Sequence, residues 1–203
     1  MKERHYFTDN TDLPSHRKEI SYSIGEKTWT FVTDDGVFSK DEVDTGTRVL
    51  LKAACAEDLT GNVLDMGCGY GVIAVTVKSM FPKTEVTAAD INPRAVSLAS
   101  ENAERNHAEI AVLESDGFAK IEGQYHAILT NPPIRAGKQV IYAMFRDAYA
   151  HLEPGGILLA VIRRKQGAES AVKFLAEVFG DCSVILRDKG YWVLKCTKQD
   201  LTA

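Results

Sequence analysis

From Asn62 onward the chain alternates between two kinds of segment. Short apolar runs at 63–66, 86–89, 110–113, 126–129 and 157–162 are separated by stretches with helical spacing at 71–80, 93–106, 140–151 and 167–179. Such alternation predicts a doubly wound α/β architecture, a mostly parallel sheet covered by helices on both faces. The rhythm breaks at both ends. "CSVILRD" and "YWVLKCTK", joined by Lys-Gly, predict an antiparallel hairpin that closes the sheet edge. Ahead of the alternation, "EISYSI" and "TWTFVT" flank a glycine-containing turn and predict a second hairpin. Between that hairpin and the first parallel strand, Val49, Leu50, Ala53 and Ala54 have helical spacing, with Gly61 as the stop. The chain divides accordingly into a small N-terminal β-hairpin extension, residues 1–40, and a main domain, residues 41–203.

With 203 residues, 45% of them apolar and 26% charged, the sequence has enough core for one such domain. A net charge of −4 carries no global nucleic-acid signature, so any polyanion contact has to come from a local basic rim. Cys55, Cys68, Cys182 and Cys196 form no C-x-x-C pair and have no metal-site spacing with the histidines, which predicts reduced structural thiols and no metal. His5, His16, His107, His126 and His151 are scattered and read as structural or exposed. The polar start "MKERHYFTDN" and the lack of any 18-residue apolar run predict a cytoplasmic protein with no membrane partner.

The stretch "NVLDMGCGYGVIAV" places Asp65, Gly67, Cys68, Gly69 and Gly71 at the end of the first parallel strand and the start of a helix. Glycines there permit a tight turn and let a ligand approach the backbone. The D-x-G-x-G-x-G spacing differs from the dinucleotide fingerprint, and no P-loop lysine is present. Two more acids fall at the ends of successive strands. Asp90 closes the second, ahead of Ile91, where a carboxylate could accept both hydroxyls of a ribose. Asp116, with Gly117 beside it, comes after the third, where it could accept from an adenine amino group under apolar cover from Ile91 or Phe118. In open α/β sheets ligands bind outside the carboxyl ends of the strands, which is where these acids sit.

Taken together these residues resemble the class I S-adenosylmethionine (SAM) methyltransferases over roughly residues 40–200. The resemblance implies a seven-stranded Rossmann-like methyltransferase sheet with the reversed final hairpin. It also implies that Asp65 and the 67–71 loop face the methionine part of SAM, Asp90 the ribose and Asp116 the adenine.

After the fourth parallel strand comes "TNPPIR". Two prolines cannot donate main-chain hydrogen bonds and fix their own φ, so they end the strand and stiffen the loop beyond it. In SAM enzymes that methylate planar nitrogens, a [D/N]-P-P-[aromatic] motif stands at this place. A nitrogen whose lone pair is delocalised is a poor nucleophile. Two acceptors at its hydrogens favour pyramidal geometry and aim the lone pair at the methyl group. By that resemblance Asn131, Pro132, Pro133 and Ile134 form the catalytic loop. The Asn131 side-chain oxygen and the Pro132 carbonyl are its acceptors, and Asn131 also lies against the cofactor. Ile134 departs from the aromatic that stacks on the acceptor ring, which leaves Tyr6, Phe7 and Phe38 as candidates for that role.

"TNPPIRAGK", "GVFSK…DTGTRVLL" and "RRKQGAESAVKFL" are similar to the catalytic half of the RsmC-type rRNA (guanine-N2-)-methyltransferase family, and the opening "HYF" fits its small stand-alone members. Two-domain members carry a second, degenerate half that helps bind RNA. The resemblance implies rRNA or the small ribosomal subunit as substrate, with no DNA, and SAM as the cofactor. Phe38, Arg135, Lys138, Arg163, Arg164 and Lys165 are the candidate substrate contacts, the cations as a phosphate-binding rim. A protein glutamine-N5 methyltransferase presents the same lone-pair problem, and a non-catalytic SAM- and RNA-binding assembly factor is a third alternative.

Overall fold

The structure, a computed structural model, describes residues 14–199. Five parallel strands make the body of the main sheet: β3 (Asn62–Met66), β4 (Glu85–Asp90), β5 (Ile110–Glu114), β6 (Tyr125–Thr130) and β7 (Leu152–Arg163). The C-terminal pair β8 (Ser183–Asp188) and β9 (Tyr191–Thr197) completes seven strands in the order β5-β4-β3-β6-β7-β9-β8, with β9 antiparallel to β7. The final hairpin therefore enters with its last strand inside and β8 on the edge. A separate two-stranded antiparallel sheet, β1 (Lys18–Ile24) and β2 (Lys27–Thr33), lies ahead of it. The seven-stranded α/β sheet and the leading hairpin agree with the sequence reading.

Helices α1 (Thr45–Ala54), α2 (Val72–Met80) and α3 (Pro93–Arg105) cover one face, and α4 (Lys138–His151) and α5 (Ala168–Phe179) the other. The stripe that buries α3 is read directly from its sequence: Ala95, Leu98, Ala99, Asn102 and Ala103 recur at helical spacing and are all buried. Two boundaries differ from expectation. The first helix ends at Ala54, short of Gly61, which instead turns the chain into β3 with a φ of +59°. Strand β7 begins at Leu152 and passes through Glu-Pro-Gly-Gly, a stretch that reads locally as a turn. A Cβ at Gly156 would lie 2.9 Å from the carbonyl oxygens of Glu153 and Tyr125, so only glycine lets the strand pass this close to β6.

The strand order fixes where a ligand can sit. From β3 the chain proceeds outward through β4 and β5, then returns across to β6, so the switch point lies between β3 and β6. These neighbours leave the sheet level with one another, since Met66 pairs with Thr130 and the Thr130 hydroxyl donates to the Met66 carbonyl at 2.8 Å.

Two buried polar side chains organise this region. Asn102, fully buried on α3, accepts from Val32 N (2.7 Å) and donates to the carbonyls of Val32 (2.9 Å) and Tyr70 (2.8 Å). One turn later Asn106 pairs with Thr30 N and O in the same way. Together the two amides serve as a strand partner for the outer edge of β2, whose Trp29, Phe31 and Val32 join the core of the main domain. Asp65, 1% exposed inside β3, accepts from Ala74 N at 3.0 Å in the first turn of α2, where the helix dipole favours an acceptor. Its other oxygen has no partner among the described residues. Burial pushes its pKa up to about 8; the Ala74 N–H opposes that rise and the nearby Asp90 adds to it.

Replacing Asn102 with alanine strands three main-chain groups in the interior, at roughly 1–3 kcal/mol each before relaxation. Denaturant unfolding of Asn102→Ala is expected to show a loss of about 3 kcal/mol or more, and a loss under about 1 kcal/mol would contradict the assigned role. Asp65 makes a separate prediction about pH. Between about pH 4 and pH 8 the unfolded chain has released this proton while the folded chain retains it, so its contribution to stability falls as pH rises through that window. Asp65→Asn, which keeps the acceptor for Ala74, is expected to lose less stability than the wild type between about pH 5 and pH 8. Parallel stability curves would refute the placement.

Candidate active site

At the switch point opens a cleft of about 810 Å³, within the range of small-molecule sites. Its floor is the glycine loop. Gly67 N and Cys68 N both donate to the Ala89 carbonyl at 2.8 and 3.0 Å, which ties the loop to the end of β4. Gly67 and Gly69 have φ of +75° and +55°, and open space lies where a Cβ would project from either. Both line the cleft, as does Cys68, whose thiol is pushed well up by burial and by the neighbouring Asp65 and Asp90. Gly71 does not line it. A Cβ there would come within 3.2 Å of Ala99 on α3, so this glycine serves close helix packing.

The acids divide. Asp90 lines the cleft at the end of β4; its two oxygens accept from Gly69 N (2.8 Å) and Asn92 N (2.9 Å). Burial raises its pKa against those main-chain donors. Ile91, 38% exposed, stands beside it on the wall, and Asp116 and Gly117 line the adjoining end with Phe118. Asp65 differs from expectation. It lies beneath the loop, outside the cleft lining, where it accepts from the first turn of α2 and acts on Cys68 through its charge.

The proline loop forms the opposite wall. Asn131, Pro132 and Pro133 line the cleft, with Pro132 buried and Pro133 O taken by Ala136 N at 2.8 Å in a short 3-10 turn, Ile134–Ala136. The Ile134 side chain packs against the core on the α4–α5 face and is not part of the cleft lining. Its assignment as a ring cover is corrected by that packing. Asn131 Nδ2 donates to Asp44 Oδ2 and to Thr47 Oγ1, each at 3.0 Å. Asp44 and Thr47 belong to the start of α1 and also line the cleft. The sequence reading did not assign them, although both stand in "DTGTRVLL".

At the mouth Phe38 is 37% exposed, and the segment that carries it is tightly held. Ser39 adopts a φ of +54°, its carbonyl accepts from Tyr70 Oη at 3.2 Å, and the Gly36 carbonyl accepts from Asn92 Nδ2 at 2.9 Å. Tyr6 and Phe7, the other aromatic candidates, lie outside the described residues. His151, read from the sequence as structural or exposed, accordingly packs on Phe118, with the two rings 4.8 Å apart, and stands at the cleft wall.

Arg135, Lys138, Arg163, Arg164 and Lys165 are exposed and lie outside the cleft lining, at the ends of the neighbouring strands β6 and β7. Lys138 stands over the Tyr142 ring, Arg163 over Tyr191 and Arg164 over Trp192, and Arg164 also pairs with Glu169 at 3.5 Å. Among the described residues no cluster of three or more His, Cys, Asp or Glu could hold a metal ion, and no helix is long and apolar enough to cross a membrane.

A family model described as the methyltransferase small domain matches residues 28–195. The uncharacterized protein YbxB of Bacillus subtilis (strain 168) is 41% identical over 197 residues, 96% of this chain and 98% of that protein. Ribosomal RNA small subunit methyltransferase C of Hahella chejuensis is 42% identical over 64% of this chain, and that of Erwinia tasmaniensis 32% identical over 87%. Those matches span only 39% and 51% of the two relatives' own lengths. Among solved structures, the T. thermophilus 16S rRNA N2 methyltransferase RsmC, in complex with AdoMet and guanosine, superposes with a TM-score of 0.82 at 30% identity. The superposition covers 92% of this chain and 52% of that one. The chain belongs to the methyltransferase small domain family, as a class I methyltransferase of the RsmC type.

Proposed function

We propose that this chain transfers a methyl group from SAM to the exocyclic N2 of a guanine in small-subunit (16S) rRNA, in the cytoplasm. The observation that carries the reading is the placement of Asn131 and Pro132 level with the glycine loop, on the facing wall of one cleft. Support for the substrate comes from the relatives named ribosomal RNA small subunit methyltransferase C and from the T. thermophilus enzyme solved with guanosine.

The residues present fit SAM. Gly67 and Gly69 leave the floor open where side chains would fill it, and a carboxylate stands at the end of β4. In this reading Asp90 accepts from the ribose, Asp116 and Gly117 meet the adenine edge between Ile91 and Phe118, and the Gly67–Cys68–Gly69 segment lies along the methionine part. SAM supplies an electrophilic methyl group on a positively charged sulfur. Asn131 Oδ1 and the Pro132 carbonyl accept the two hydrogens of the guanine amine, and the prolines hold that carbonyl in place. Phe38 takes the ring-covering role that position 134 does not fill, and stacking of a base on an aromatic is worth ~1–3 kcal/mol. A guanine in folded RNA has to be unstacked to reach this depth. Arg135, Lys138, Arg163, Arg164 and Lys165 then contact flanking phosphates.

Incubation with methyl-labelled SAM and unmodified small subunits or 16S rRNA is expected to yield labelled N2-methylguanine. Label confined to protein would instead select the glutamine-N5 alternative. Asn131→Ala is expected to bind SAM normally while kcat drops by about 10²–10³-fold, as for removal of one preorganised polar group. Asp90→Ala is expected to fold and to lose roughly 10- to 100-fold in SAM affinity by calorimetry, the range for a charged hydrogen-bond acceptor. Unchanged affinity would contradict the ribose assignment.

A further inference from the structure

We infer that Asp44 and Thr47 are positioning residues that fix which end of the Asn131 amide faces the acceptor; their catalytic consequence rests on the amine-acceptor reading above. A side-chain amide has nearly the same shape in its two flipped orientations, one presenting oxygen and the other nitrogen. An ionised carboxylate has no proton to donate, so the atom 3.0 Å from Asp44 Oδ2 has to be the amide nitrogen. Thr47 Oγ1, also at 3.0 Å, takes the second N–H. With both its hydrogens engaged on the α1 side, Nδ2 is held away from the acceptor and Oδ1 is left to receive an amine hydrogen. The reverse flip would set an N–H donor against an N–H donor on the substrate and bring Oδ1 against a carboxylate.

The lock also accounts for the spacing of "DTGT". Asp44 is the N-cap of α1, and the same Oδ2 accepts from Thr47 N at 3.2 Å, which holds the carboxylate against the first turn. Gly46 supplies clearance. A Cβ there would lie 2.8 Å from Asp44 Oδ2 and 2.9 Å from the Tyr191 ring, so any side chain displaces the carboxylate or the ring. Thr47 comes one residue later, 8% exposed, with its hydroxyl oxygen toward Asn131. The helix is anchored by Leu50 and Leu51, both fully buried, so the partners of the amide stand on a rigid element.

Two measurements separate the lock from the reaction it serves. In protein labelled with ¹⁵N-asparagine, the Asn131 side-chain NH₂ pair is identified by its loss in Asn131→Ala. It is expected to exchange slowly with solvent in the wild type, and to shift and exchange faster in Asp44→Asn, Thr47→Val and Gly46→Ala. In methyl-transfer assays the same variants are expected to lose roughly 10- to 100-fold in kcat, with SAM affinity and KM changed less than about threefold. Thr47→Ser, which restores the acceptor oxygen, is expected to recover turnover relative to Thr47→Val. An Asn131 amide unmoved by Asp44→Asn and Thr47→Val overturns the inference, as does wild-type kcat in both variants. Where no acceptor is methylated by any form of the protein, the spectra still decide the orientation of Asn131, and the substrate reading is what fails.

Discussion

The amide of Asn102 reaches three main-chain atoms, two on Val32 and one on Tyr70, and so adds a polar tie to parts of the chain that also share the apolar core. Val32 lies near the end of β2, the second strand of the leading hairpin, and Tyr70 lies inside the glycine loop. α3, which carries the asparagine, comes after the strand that ends in Asp90. With the packing of Phe31 on Tyr70, this buried side chain sets the hairpin against the loop, and with it the segment bearing Phe38 against the mouth of the cleft. A hydrophobic residue could fill the same volume and bury the same area, but it would leave polar main-chain groups unsatisfied in the interior. Geometry at the cleft mouth is in this sense inherited from a helix face on the far side of the glycine loop.

Charge on the floor of the cleft works in the same direction as its shape. Asp90 and Cys68 in the cleft, and Asp65 beneath its glycine loop, all have raised pKa values, and in each the first cause is burial, with a neighbouring acid contributing to Asp65 and Cys68. Carboxylates crowded into a low-dielectric pocket favour their neutral forms, and a cationic ligand offsets that penalty. A neutral nucleotide of similar shape lacks that contribution. For the SAM reading proposed above, Asp90 in the cleft and Asp65 beneath it have the sign that suits a positively charged cofactor.

The strand and helix rhythm was legible because both faces of the sheet are covered and the punctuation by glycine and proline is clean. The strand-end acids and the proline pair were legible because each sits where the chain leaves the sheet. What stayed hidden depends on direction or on distance along the chain. Nothing local distinguishes a strand-end carboxylate that faces the cleft, such as Asp90, from one turned beneath the loop, such as Asp65. Ile134 falls at the motif position, yet in the 3-10 turn its half-buried side chain packs against the core instead of lining the cleft. Glu-Pro-Gly-Gly is a turn by composition and a strand by its neighbours. Asp44 and Asn131 are 87 residues apart, and no periodicity within a window could join them.

The place of β9 has a consequence for how the chain assembles during synthesis. Its strand is inserted between β7 and β8, so one edge of β7 has no partner until residues 191–197 have left the ribosome. That edge runs from Ile157 to Arg163 and includes the fully buried Leu158, Leu159 and Ala160. An unpaired apolar strand edge is a template for mispairing. From the moment β7 emerges, the nascent protein therefore carries an adhesive edge, and β9, the last of the described strands, is the one that closes it.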